Sequence, residues 1–515
     1  KTSEPPMNQR IKNITIVGGG SAGWMAAATL ATYLGKGSCI RLVESEEIGI
    51  VGVGEASVPH IRQFNGQWLG IDEIEFIRRT QATAKLGIQF KDWGKLGDSY
   101  IHGFGAIGRS IGPLPFHQFW LKLFLAGRAA PIGDYSPQTV MAARHKFVPR
   151  DHKAAPDSPF ADIAYAYHFD ATLYARFLRE VAESRGVQRI EGRVIEVKQH
   201  AKQGKDDCDA WIASLVLDNG KLVEGDLFID CSGFHGLLIE QTLKTGYHDW
   251  SHWLPCDRAQ AVASESVTPL TPYTRATAQA AGWQWRIPLQ HRVGNGYVYA
   301  SQFCSDEEAE ATLMMGLDAA PLAEPRPLRF CTGMRKQVWH KNVLALGLAA
   351  GFLEPLESTS IYLAQSGITR LLSMFPGKTL NPLLIQRYNR ETAEEYERIR
   401  DFLILHYHVT ERNDSAFWDY CRSMAIPDSL QETLELFRCD GRYFRQGEDF
   451  FALPSWVQVM LGQGIVPRAY HPIVDDMPEA QLQQHVEGFR QMLMQAVDSM
   501  PTHQQWLQRY WQARV

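Results

Sequence analysis

ITIVGGGSAGWMAAATL, residues 14–30, sets a short apolar run against three glycines and then an alanine-rich stretch. Ile14 to Val17 reads as a buried strand, because its apolar residues lack the alternation of a half-exposed one. The chain turns at Gly18-Gly19-Gly20 and continues from Trp24 to Leu34 as a helix. Gly18, Gly20 and Gly23 make the spacing GxGxxG. The first permits a tight turn, the second lets backbone approach a diphosphate, and the third lets helix and strand pack closely. The free N–H groups of the helix start, around Ser21 and Ala22, suit an anion. Ile40 to Val43 is a second strand, and it ends at Glu44, placed to accept from ribose hydroxyls. The glycine spacing alone would also describe a plain turn. The strand before it, the helix after it and Glu44 together point to dinucleotide binding.

The rest of the chain fits around that unit. It has 515 residues, 45% hydrophobic and 21% charged, enough for a large core and two or three subdomains. The net charge of -5 gives no electrostatic case for nucleic acid or an anionic membrane. No apolar run approaches the ~18 residues of a membrane helix, and residues 1–10 lack the apolar stretch of a signal peptide. They are expected to form a flexible tail, with Lys1 to Pro6 preceding a natural start at Met7. The eight cysteines are scattered without metal spacing. They are expected to be reduced thiols in a cytoplasmic protein with no metal site.

Glu73 to Trp93 starts with helical spacing, residues 148–160 suggest a surface loop, and Ala171 to Ser184 an amphipathic helix. Strands are expected at 189–198 and 210–217, the latter entering the turn Asp218-Asn219-Gly220, and at Leu227 to Asp230. After about residue 380 the pattern turns helical and aromatic. The expected fold class is α/β: a nucleotide-binding core at 11–380 with an inserted β-sheet, then a mainly helical subdomain at 381–515.

Two later glycine turns bear on which dinucleotide. DLFIDCSGFHG, residues 226–236, ends a strand in Asp230-Cys231-Ser232-Gly233, and resembles the sheet-to-cofactor contact of FAD-binding, Rossmann-like monooxygenase folds. NVLALGLAAG, residues 342–351, reads as a strand running into a glycine-bounded helix start. Many such flavoproteins carry an aspartate after its first glycine; here the residue is Leu348. No second complete GxGxxG for NAD(P)H follows, so a separate NAD(P)H-dependent flavin reductase is expected.

GWQWRIP, residues 282–288, puts Trp283 and Trp285 on one face of a strand and Gln284 and Arg286 on the other. Joined to the glycine turn with Trp24, to GVGEASVP at 52–59, to Lys85 in AKLGIQF and to EPLESTS at 354–360, it resembles the flavin-dependent tryptophan-halogenase family. The likeness keeps one order from about residue 11 to at least residue 365. It implies FAD held by Gly18, Gly20, Ser21, Ala22, Gly23, Glu44, Gly54, Ala56, Gly351 and Leu356. It implies that reduced flavin, oxygen and chloride or bromide yield hypohalous acid, which passes through a tunnel to a separate aromatic substrate. Lys85 matches the family's catalytic lysine, acting as a hydrogen-bond donor or as a haloamine. Glu357 matches the carboxylate that takes the ring proton. The N–H groups of Thr359 and Ser360 match the halide site. His102 and Phe104, and more weakly Phe451 and Trp456, would border the substrate. Trp283 and Trp285 would separate it from the flavin.

Without the resemblance the same residues read differently. Lys85 would be a helix-face lysine in water, Glu357 a helix N-terminal acid, and the aromatics core packing. Enzymes of the family that act on free tryptophan clamp it with a tyrosine pair and a glutamate. Residues 439–470 offer Tyr443 followed by Phe444 instead. The expectation is therefore an indole-like small arene, with a homodimer allowed. The alternatives are an aromatic hydroxylase and an inactive FAD-binding sensor or partner.

Overall fold

The computed structural model describes residues 10–46, 54–149, 158, 160–161, 163–200, 211–445, 447 and 449–512. Residues 1–9 of the expected tail, Gly52, Val53, Cys208 and most of the loop expected at 148–160 lie outside them.

The strand Asn13–Val17 is the centre of a six-stranded sheet. It pairs in parallel with Cys39–Glu44 on one side and Leu227–Asp230 on the other. Val343–Ala345 and Gln188–Glu191 extend the sheet in parallel outward, and Trp339–His340 closes one edge antiparallel. Such a sheet must bury both faces. The helix Ser21–Leu34 covers one, with Trp24 and Met25 through Ala28 buried. The alanines keep that helix thin, so it also packs against Ala171–Ser184 and Ser360–Ser373.

A second sheet of seven strands is mostly antiparallel and holds Gly282–Pro288 near its middle. All seven residues of that strand are buried. A small third sheet joins Glu55–Ala56, Ala166–Phe169 and Thr83–Lys85. From residue 382 the described elements are helices, led by the 27-residue Pro382–His408.

The helical start read at Glu73 is borne out, while the helix-face alternative for Lys85 and two other expectations are not. The helix at 73 ends at Arg79, and Thr83–Lys85 is a strand. Thr80 closes the helix and Gln81 takes a positive φ, which turns the chain into the sheet. Lys85 is therefore not on a helix face, and it is 0% exposed. The strand expected at 189–198 is two, Gln188–Glu191 and Val194–Gln199, separated at Gly192 with φ +149°. The glycine-bounded segment after Val343–Ala345 opens a single 3₁₀ turn, Gly347–Ala349, and not a helix.

Candidate active site

The glycine turn is built by backbone. Gly18 has φ +111°, a conformation that side chains disfavour, and a Cβ there would collide with the Cys231 carbonyl. A Cβ at Gly23 would collide with the Gly18 carbonyl, so helix and turn touch without a side chain between them. Gly20, the N-cap of Ser21–Leu34, has nothing within 4 Å of the Cβ position. This is an open cradle at a helix start, the shape a diphosphate needs. The Glu44 carboxylate lies over Gly19 and is held by Arg189. Arg189 also pairs with Glu46 and Glu191. Gly54 (φ +78°) precedes the strand Glu55–Ala56 of the third sheet, and Gly351 and Leu356 are buried. These features fit a dinucleotide such as FAD.

The opposite region is built by side chains. Lys85 donates to the Ser57 carbonyl at 3.0 Å and to Ser358 Oγ at 2.8 Å. Neither acceptor is charged. Its Nζ stands 5.3 Å from the Phe104 ring centroid. Burial pulls the Lys85 ammonium down to about 7, against the attraction of Glu357.

Glu357 immediately precedes Ser358, the partner of Lys85, and ends the turn Pro355–Glu357. Its carboxylate lies 3.0 and 3.1 Å from His102 Nδ1, and Oε1 lies 2.9 Å from His406 Nε2. Burial alone would raise its pKa. The attraction and hydrogen bonds of His102 and His406 overcome burial and hold it at about 2. The sequence expectation placed His102 beside the substrate as an aromatic; the structure joins it to Glu357. His406, Ser57 and Ser358 were missed, because partners 28, 49 and 273 positions apart leave no local spacing to read.

Glu354, also missed, opens the same turn and is 0% exposed. Its Oε2 accepts from Trp283 Nε1 at 3.0 Å and from the Tyr407 hydroxyl at 2.7 Å. Burial raises it to about 7, with those two donors pulling the other way.

Trp283 and Trp285 share a face, with ring centroids 6.2 Å apart. Arg286 reaches Asp318 on the opposite face. Ser358 is left-handed at φ +58°, and the helix Ser360–Ser373 begins after Thr359. Among the described residues no backbone carbonyl accepts the N–H of Thr359 or Ser360. A pair of N–H groups without a carbonyl partner, next to a left-handed residue, has the geometry that suits an anion.

Phe451 and Trp456 converge on Phe402, at 4.0 Å stacked and 4.9 Å edge-on, and His102 lies 5.9 Å from the same ring. The helix Leu453–Gly462 is tied to the His102 strand by Gln458, whose amide bonds both the N–H and the carbonyl of Gly103. A cavity of ≈ 40 Å³ lies among Phe451, Trp456, Tyr443 and Phe444. That volume has room for a few water molecules.

Among the described residues no cluster of His, Cys, Asp or Glu could hold a metal ion, and no helix is long and apolar enough to cross a membrane.

Comparison with known proteins bears on the chemistry. The tryptophan halogenase family matches residues 13–479. The tryptophan 6-halogenase SttH of Streptomyces toxytricini is 35% identical, over 95% of this chain and 96% of its own. The flavin-dependent halogenase Xcc4156 of Xanthomonas campestris superposes with a TM-score of 0.92 at 50% identity, covering 98% of this chain and 99% of its own. BrvH, a flavin-dependent halogenase of Brevundimonas sp. BAL3, gives 0.92 at 43%, with coverage of 97% and 99%. An open cradle on one side, and a buried lysine and carboxylate on the other, thus sit in a chain that belongs to the tryptophan halogenase family, the flavin-dependent halogenases.

Proposed function

We propose that this protein halogenates an indole-like aromatic small molecule, using oxygen, chloride or bromide, and FAD reduced by a separate NAD(P)H-dependent reductase. The observation that carries the reading is Lys85: a fully buried amine, bonded to two uncharged acceptors and joined through Ser358 to the turn that bears Glu357. Reduced FAD, when bound, supplies the two electrons with which oxygen and halide become hypohalous acid. The glycine turn, Ser21, Ala22, Glu44, Gly54, Ala56, Gly351 and Leu356 would hold it, and the N–H groups of Thr359 and Ser360 would hold the halide.

Lys85 orients the hypohalous acid. As the ring carbon bonds the halogen, the oxygen–halogen bond breaks, and the oxygen leaves as water with a proton held at Nζ. The Glu357 carboxylate then takes the ring proton and restores aromaticity. Phe104, His102, Phe451 and Trp456 place the ring. Trp283 and Trp285 admit the small oxidant and exclude the arene. Residues 11–380 provide the cofactor core in this reading, and residues 381–515 cover the substrate.

The region that would clamp an amino acid argues for a simpler arene. Asp449 is engaged by Arg398 at 2.9 Å, so neither charge is free for an ammonium or a carboxylate. Tyr443 stacks on Trp456, and Phe444 is 62% exposed. The test supplies a flavin reductase, FAD, NADH and bromide or chloride, with indoles, phenols, pyrroles and free tryptophan as substrates. A halogen isotope pattern on indole supports the reading. One added oxygen, or turnover of tryptophan alone, overturns it.

A further inference from the structure

Two imidazoles grip Glu357, and their hydrogen-bond demands differ. His406 Nδ1 lies 2.7 Å from the Phe402 carbonyl oxygen, and Nε2 lies 2.9 Å from Glu357 Oε1. A carbonyl oxygen only accepts, so Nδ1 carries a hydrogen. An ionised carboxylate also only accepts, so Nε2 carries one as well. His102 is different. Its Nδ1 serves both Glu357 oxygens, and its buried Nε2 has no partner among the described residues. A neutral ring satisfies that geometry.

His406 is fully buried, with its ring against Phe90, Trp93 and Phe402. Water therefore cannot supply the missing acceptor or donor on either nitrogen. The other titratable groups around the pair are His102 and Tyr100 on the strand Ser99–Gly103, Lys85 on Thr83–Lys85, and Glu354 with Tyr407.

We propose that His406 is a positioning residue that keeps hydrogens on both ring nitrogens in the resting protein, so that Glu357 and His406 form a neutral ion pair and Lys85 is left without a counter-ion. This rests on the roles proposed above for Lys85 and Glu357. The pair explains why a buried ammonium sits between neutral acceptors a residue away from a carboxylate. The carboxylate's charge is balanced from the helix side. The Lys85 ammonium therefore faces its burial with only part of the attraction of Glu357 to offset it, and its neutral amine becomes accessible. Replacing His406 with a neutral residue would release the field of Glu357 onto Lys85, which would then hold its proton to higher pH. The limb of the activity profile that Lys85 sets moves upward on this account, whether the ammonium or the amine is the working form.

The test reads the proton directly. The full-length chain is labelled with ¹⁵N-histidine, and its 17 histidines are followed by NMR. One ring is expected to carry both hydrogens at the pH of the activity assay, because both its nitrogens face acceptors, and that signal disappears in His406→Gln. In the same variant kcat falls about tenfold or more. The profile limb near pH 7 that persists in Glu354→Gln shifts up by about one unit. If no ring of the unaltered protein stays doubly protonated at that pH, the proposal is overturned, whether or not the variant folds. An unshifted limb in folded His406→Gln overturns it too. If no arene is halogenated at all, the proposed function fails, while the NMR measurement still decides the state of His406.

Discussion

The glycine turn at 18–23 and the pocket around Lys85 and Glu357 are made of different material. The turn is backbone: carbonyls, N–H groups and the space where side chains are absent. The pocket is side chains, brought by the strands Thr83–Lys85 and Ser99–Gly103, the turn Pro355–Glu357 and the helix Pro382–His408. The first should fail when volume is added, and the second when charge is changed. Substitutions in each test that division.

The largest effect belongs to Gly23→Val. Its side chain has no room beside the Gly18 carbonyl. A stability loss of about 3 kcal/mol or more is expected, read as a collapsed urea midpoint. Gly20→Ala is the contrast within the turn. Open space faces that position, so the midpoint should hold while FAD affinity, measured by fluorescence titration, falls.

In the pocket the signs reverse. Lys85→Met should cut halogenation by about 10³-fold and yet stabilise the fold. From about pH 7 to the ordinary value of 10.5, the unfolded chain binds a proton at Lys85 that the folded chain lacks. Wild-type stability attributable to Lys85 therefore rises with pH across that window. The variant's advantage should be greatest at pH 7 and below and fade toward pH 10.5, as melting curves across the range would show.

Glu354→Gln should act in the other pH direction. Between its ordinary 4.5 and about 7, the folded chain holds a proton that the unfolded chain has released. Wild-type stability from this group is complete below pH 4.5 and is lost as pH rises through 7. The variant should match wild type at pH 4 and exceed it at pH 8 by about 2 kcal/mol. Equal melting temperatures at both values would show that Glu354 is ionised in the fold.

The smallest effect is expected of Trp283→Phe, which keeps an aromatic ring but loses the 3.0 Å bond to Glu354. A cost of about 1 kcal/mol is expected in chemical denaturation, with halogenation retained. A complete loss of activity in a folded variant would give the indole N–H a chemical role.

The same division explains what the sequence revealed. Backbone sites need consecutive residues, so Gly18, Gly20 and Gly23 could be read directly, with the strand before them and the helix after. Four strands of the six-stranded sheet, Asn13–Val17, Cys39–Glu44, Leu227–Asp230 and Val343–Ala345, followed from short apolar runs. The side-chain site has no such record. Lys85 and Glu357 were found because they lie in stretches that resemble a family, and their own surroundings suggested a solvated lysine and a helix-capping acid. The helix-face alternative for Lys85 fails because the helical spacing of EIEFIRR stops at Arg79, and nothing beyond it marks the change to a strand. His406 lies in an apolar helix, RIRDFLILHYH, where a histidine reads as core packing. Only the fold reveals that both its nitrogens meet acceptors. Glu354 and Tyr407 were hidden for the same reason.

His406 and Tyr407 are consecutive on one helix, and they receive the two acids of a single turn, Glu357 and Glu354. Each residue of a helix advances the azimuth by about 100°. A one-residue insertion or deletion between Pro382 and His406 would swing both donors away from their acids together. Chimeras spliced from homologous enzymes inside this helix must therefore conserve its length to the residue, however freely the residues themselves are exchanged.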